Sequence, residues 1–369
     1  MGFVWSIGRL KNIEIRIDFS WFIVFILLSW TLATYYFPKY YSFSPWLNWI
    51  IGILASLLLF FSVLVHELGH CLVAQRQGKE VKSITLFILG GIAQIANESS
   101  SPYEEFSMAI AGPLTSFSLA IVFAILWWIA DSLSRPIFAL AKYLTMINVI
   151  LGTFNLLPGY PMDGGRVLRA ILWKKTGNIK KATKAASKVG RAIAFLLISF
   201  GVFQILTGLW LNGLWLIFIG WFLYNASLKS YQQTLLREIL RDIRAKDLMD
   251  TNFITIPPDI TLQQLFNGQA LTGRHKAFII TEEKKILGII CLEDIKKIAP
   301  ERWPYILVRE IMIPRSDLVL TTPEENALKL LHRLSSRDNY PIPVIFSDRV
   351  VGTITRNDIL KWAQISFKT

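Results

Sequence analysis

At 369 residues, 53% hydrophobic and with a mean hydropathy of +0.44, the chain is too apolar for an ordinary soluble enzyme. Its formal charge of +13 raises nucleic acid as a partner, but the densest basic run lies between apolar segments, where the Lys/Arg bias of cytoplasmic loops accounts for it, so no nucleic acid is expected. Two cysteines, Cys71 in an apolar segment and Cys291 far along the chain, exclude a disulfide framework.

In chain order, Met1 to Asp18 already carries Arg9, Lys11, Glu14 and Arg16, so no cleavable signal peptide is expected. The alternation Ile13-Glu14-Ile15-Arg16-Ile17 predicts a strand at the membrane surface. Phe19 to Phe37 is long enough for a first span and is closed by Pro38-Lys39. The second span starts near Pro45 and runs to Ala74. It has no charge from Tyr40 to Val65, and then His66, Glu67 and His70 appear within five residues.

On a helix, His66 and His70 project from one face and can grip one metal ion, and zinc suits neutral imidazole nitrogens with one corner left for water. Glu67, about 100° round the helix, is placed to take a proton from that water. Ten residues separate His66 from Arg76, so the metal lies roughly 15 Å inside the charged boundary, where polar groups are costly and usually functional.

Ser83 to Asn97, rich in strand formers and broken at Gly90-Gly91, predicts a hairpin. The third span is Phe106 to Ala130, with Ala111-Gly112-Pro113 allowing close helix approach. The fourth runs from about Pro136 to Leu157 and leads into Phe154-Asn155-Leu156-Leu157-Pro158-Gly159-Tyr160-Pro161-Met162-Asp163-Gly164-Gly165. Such an unwound stretch is tolerated at membrane depth only where protein covers it or it lines a cavity. Asp163 is the natural third zinc ligand, and it would also serve as the N-cap of a helix starting at Gly165. Asn155, if it faces the metal, could steady the oxyanion formed when water attacks a peptide carbonyl.

Arg166 to Arg191 carries nine cations and no acid and is expected to be cytoplasmic. Ala192 to Leu228 is uncharged, with an expected break at Asn212-Gly213, giving six spans and both termini in the cytoplasm. Lys229 to Arg244 predicts an amphipathic linker helix.

Beyond it the chain repeats at an offset of about 63–64 residues. Lys246-Asp247-Leu248-Met249 recurs as Arg309-Glu310-Ile311-Met312, and Leu287 to Ile295 recurs as Val351 to Ile359. Each unit predicts strand, helix, strand, strand, helix, with the first helix from Leu262 to Leu271. His275 and His332 stand in this part without partners at ligand spacing and are read as ordinary polar residues.

The HELGH motif, the Gly-Gly hairpin, Ala-Gly-Pro and FNLLPGYPMDGG together resemble the site-2 protease family of intramembrane zinc metalloproteases, over roughly residues 3 to 228. The resemblance implies Zn2+ on His66, His70 and Asp163, with Glu67 activating water and Asn155 at the family's active-site asparagine. It implies a substrate that is a single-pass membrane protein, such as an anti-sigma factor already trimmed outside. It also implies a hairpin edge to which an unwound substrate could add as a strand.

The two repeats are similar to tandem cystathionine β-synthase (CBS) domains, which implies adenine nucleotide in clefts between them. Thr355 and Asp358 match the family's phosphate and ribose positions, as does Asp294, beside which Cys291 replaces the hydroxyl. A purely structural dimerisation module, pairing two copies of the chain, is the other reading. The expected architecture is thus a polytopic α-helical membrane core with a short β-hairpin (1–228), a linker helix (229–244) and an α/β CBS pair (245–300 and 305–369). A transporter or channel gated by the same pair is the alternative function, but the core shows none of the internal repeats a transporter would be expected to carry.

Overall fold

A computed structural model describes residues 4–366 apart from 89, 97–98, 133, 269–276, 284 and 335–339. The chain forms two compact units, Met1–Gln232 and Gln233–Thr369.

Among the described residues six helices are long and apolar enough to cross a membrane: α1 (Phe19–Tyr40), α2 (Pro45–Arg76), α3 (Pro102–Ala130), α4 (Arg135–Asn155), α6 (Ile179–Leu206) and α7 (Trp210–Leu240). Helix α5 (Asp163–Thr176) lies between α4 and α6. Local chemistry sets their ends. Asp18 accepts the Ser20 N–H at 2.9 Å before α1, Ser101 accepts the Glu104 N–H at 3.2 Å before α3, and Asn178 accepts the Lys181 N–H at 3.0 Å before α6. Proline occupies the first turn of α2, α3 and α4, where its missing N–H costs nothing. The outward faces carry large apolar side chains such as Leu27, Trp46, Val122 and Phe195, each more than half exposed apart from any lipid. The buried faces are lined by Ala, Gly and Ser, which let helices approach closely.

The strand and the hairpin expected from the sequence belong to one sheet. Strands β1 (Val4–Leu10), β2 (Ile13–Asp18), β3 (Val81–Phe87) and β4 (Gly90–Ile95) lie in that order. Glu14 to Ile17 pair in parallel with Ser83 to Leu86, and the other two pairings are antiparallel. Strand β1 is not expected from the sequence. Val4, Trp5, Ile7 and Leu10 are all exposed, so no one-faced alternation marks it.

The break between the last two spans falls at Thr207-Gly208, not at the expected Asn212-Gly213. Gly208 takes φ +90, a left-handed conformation that suits glycine and stops a helix. Gly213 sits inside α7 as a packing glycine: a Cβ there would lie 2.5 Å from the Gly201 carbonyl oxygen. The segment expected as a separate linker helix from Lys229 continues α7 without interruption to Leu240.

The second unit contains a mixed sheet built from both repeats. Strands β5 (Thr255–Ile256), β6 (Ala277–Glu282), β7 (Lys285–Cys291), β9 (Ile342–Phe346) and β10 (Arg349–Ile354) run in the order β5-β6-β7-β10-β9, and β8 (Ile313–Pro314) pairs with β7. Each repeat has its own apolar core, Phe278, Ile280 and Ile290 in the first and Leu330, Val344 and Ile354 in the second. The first repeat's helix is described from Leu262 to Gly268, and the rest of its expected length lies outside the described residues.

Candidate metal centre

The helical spacing of His66 and His70 on α2 brings their Nε2 atoms to 3.3 Å from each other. Asp163 is the first residue of α5, with Met162 as its N-cap, so its side chain is not the cap. Its Oδ2 lies 3.2 Å from His66 Nε2 and 3.1 Å from His70 Nε2. These residues form the one His/Cys/Asp/Glu group among the described residues whose ligand atoms cluster as a metal requires. A tetrahedral shell with bonds of about 2.0–2.1 Å has edges of roughly 3.3 Å, so the three separations fit zinc.

The far sides of both rings are held by α3. His70 Nδ1 lies 2.7 Å from the Met108 carbonyl oxygen, which can only accept, so the proton sits on Nδ1 and the Nε2 lone pair faces Asp163. His66 Nδ1 lies 2.8 Å from Ser116 Oγ. Such backing contacts fix the ring orientation and the tautomer of metal-binding histidines.

Between these two supports stands Gly112, where a Cβ would lie 2.1 Å from His70 Nε2 and 2.7 Å from His66 Nε2. The Ala-Gly-Pro stretch therefore leaves the space the imidazoles occupy. Glu67 meets a second glycine: a Cβ on Gly91 would come within 2.5 Å of its Cγ, so strand β4 passes directly against the Glu67 side chain.

The other expected residues are engaged elsewhere. Asn155, the last residue of α4, donates from Nδ2 to the Leu151 carbonyl at 3.0 Å. Among the described residues its side chain makes no hydrogen bond to the histidines or Asp163.

In the second unit, Asp358 Oδ2 accepts from the Thr355 N–H at 2.8 Å and from Thr355 Oγ1 at 2.6 Å. The Asp358 N–H donates back to Thr355 Oγ1 at 3.3 Å, which makes a reciprocal cap at the start of helix Arg356–Ser366. Asp294 accepts the Tyr340 hydroxyl at 2.7 and 2.8 Å and the Lys297 ammonium at 2.8 Å. Burial works against the Asp294 charge, but these bonds prevail and hold its carboxyl below the usual range. Burial and the same bond push the Tyr340 hydroxyl up to about 12, and burial pushes the Cys291 thiol up to about 12. His275 and the side chain of His332 lie outside the described residues.

The sequence reading missed Ser116, the Met108 carbonyl and an ion-pair group formed by Glu105 with Arg166 and Arg169. No local pattern signals them, because 50 residues separate Ser116 from His66 and 64 separate Glu105 from Arg169.

Comparison with known proteins gives two families. The profile described as peptidase family M50 matches residues 54–132 and 130–197, and the CBS domain profile matches 245–301 and 308–364. A relative in Synechocystis sp. that carries a zinc-metalloprotease name is 34% identical over 98% of this chain and 95% of its own length. A zinc metalloprotease of Methanocaldococcus jannaschii is 30% identical over 95% of this chain and 92% of its own. Among solved structures, a site-2 protease from the same organism matches 62% of this chain and 95% of that one, at 30% identity and a TM-score of 0.42.

Proposed function

The chain belongs to the site-2 protease family of zinc metalloproteases, peptidase family M50 with a CBS pair, and from this premise we propose that it hydrolyses peptide bonds within membrane-spanning segments of other proteins. In this reading His66, His70 and Asp163 hold the zinc and Glu67 is the general base. The observation that carries it is the cluster of three ligand atoms at 3.1–3.3 Å, with both histidines buried and backed by α3. Family membership decides against the gated transporter.

When bound, zinc lowers the pKa of water toward about 7 and polarises a carbonyl. The chain's own residues do the rest. Glu67 accepts the proton of the attacking water and returns it to the leaving amine. A substrate strand added along β4 would run past Gly91, and its carbonyl would meet the Glu67 side of the site. Asn155 would reach an oxyanion only by exchanging its bond to the Leu151 carbonyl.

The basic run from Arg166 to Arg191 supports placing both termini in the cytoplasm. In this reading the substrate is a single-pass membrane protein cut as part of a signalling relay. Adenine nucleotide at the Thr355/Asp358 cleft would modulate cleavage, and a coupling of ~1–3 kcal/mol would change it about 5–150-fold. Titration with ATP and AMP beside Asp358→Ala tests that part.

The main test is co-expression with single-pass substrates already trimmed outside the membrane. Glu67→Gln keeps size and cannot take the proton, so cleavage should fall by about 10²–10⁴-fold or more while zinc stays bound. Substantial cleavage by that variant would mean another base or another reaction.

A further inference from the structure

Helix α3 supports His70 through the Met108 carbonyl and His66 through Ser116. One turn before Met108 it also carries Glu105, whose side chain is only 1% exposed. Glu105 Oε1 accepts from Arg166 Nε at 3.3 Å and from the guanidinium of Arg169. Both arginines belong to α5, one and two turns after Asp163. Arg169 also lies over the Tyr160 ring, 5.4 Å from its centroid, on the unwound approach to Asp163.

A buried ion pair is a poor device for stability alone, because desolvation offsets most of the attraction. Its advantage is geometric: two guanidinium groups one turn apart, sharing one carboxylate, fix both the rotation and the slide of a helix. The neighbouring Glu104 bonds to a different set, accepting from Lys79 at 2.9 Å and from the Ser100 N–H and hydroxyl at 3.0 and 2.7 Å, and so does not reach α5.

We propose that Glu105 is a positioning residue for the metal centre: through Arg166 and Arg169 it sets α5 so that Asp163 Oδ2 meets both histidine Nε2 atoms. One helix would then orient all three ligands, two directly and one through this ion-pair group. The inference rests on the reading of Asp163 as a ligand.

The test is a cycle of variants in the full detergent-solubilised chain, read as zinc affinity by chelator competition. Glu105→Gln preserves shape and removes the charge that holds both arginines. It should weaken zinc by about 10–100-fold, the usual cost of losing a supporting contact. In an Asp163→Ala background the same change should cost about twofold or less, because the only ligand it acts on is gone. An equal loss in both backgrounds would mean that Glu105 acts on the histidines or on the fold, and no loss in either would mean that it positions nothing. Either result overturns the proposal. Should Glu105→Gln fail to fold, Glu105→Asp keeps the charge and shortens the reach, and its smaller loss must vanish in the Asp163→Ala background in the same way. Full zinc retention by Asp163→Ala alone would instead refute the ligand reading, a separate outcome.

Discussion

Two regions of this chain hold carboxylates within reach of hydrogen-bonding partners, and they differ in where those partners stand. In the membrane core the partners stand behind the ligand atoms. Met108 and Ser116 occupy the Nδ1 sides of the imidazoles, leaving both Nε2 atoms and Asp163 Oδ2 to converge on one point. In the soluble pair the partners stand in front. Thr355 closes on Asp358, and Tyr340 and Lys297 close on Asp294. The first arrangement is prepared for a cation before it arrives. The second is complete without a ligand, and a nucleotide there must compete with the chain's own bonds.

Changes in the core should therefore act directly on metal and chemistry, and loss of the Tyr340 bond in the pair on stability. The largest contrast comes from Gly91→Ala. Its Cβ would crowd Glu67 Cγ, and a misplacement on the order of 1 Å costs ~10²-fold in rate. Cleavage should fall by that factor while zinc content, measured by metal analysis, is unchanged. Equal loss of both would show that β4 supports the ligands as well as the base.

Ser116→Ala removes a backing contact without touching a ligand. Zinc affinity by chelator competition should drop by about 10–100-fold, and wild-type affinity would remove Ser116 from the preparation of the site.

The smallest effect belongs to Tyr340→Phe. The lowered Asp294 pKa contributes stability that is present above the unfolded value, about 3.9, and is lost as pH falls through the folded value. The variant should melt slightly below the wild type at neutral pH, and the gap should narrow below about pH 4. A gap that grows on acidification would mean that the Tyr340 bond does not act through the Asp294 charge.

Which residues were legible in the sequence follows the same division. His66, Glu67 and His70 declare themselves because charge is costly in an apolar span and four-residue spacing is a property of one helix. Asp163 is legible through the prolines and glycines that unwind its approach. The apolar runs and the repeat of about 63–64 residues made six spans and a paired module legible.

Long-range partners were not. Tyr340 meets Asp294 across 46 residues, and neither carries a local signal of the other. Glycine is ambiguous for a related reason. Gly208 breaks a helix through its own backbone, whereas Gly213 and Gly112 are small because of what lies opposite, and a sequence read alone does not show what lies opposite. The exposed strand β1 escaped because alternation marks only strands with one buried face.

The most direct measurement is the zinc content of the purified full chain, compared among wild type, Glu67→Gln and Asp163→Ala. The expected result is about one zinc per chain in the first two and a marked loss in the third, since removing a ligand should exceed the about 10–100-fold cost of removing a supporting contact. Wild-type zinc retention in Asp163→Ala would contradict the three-residue centre.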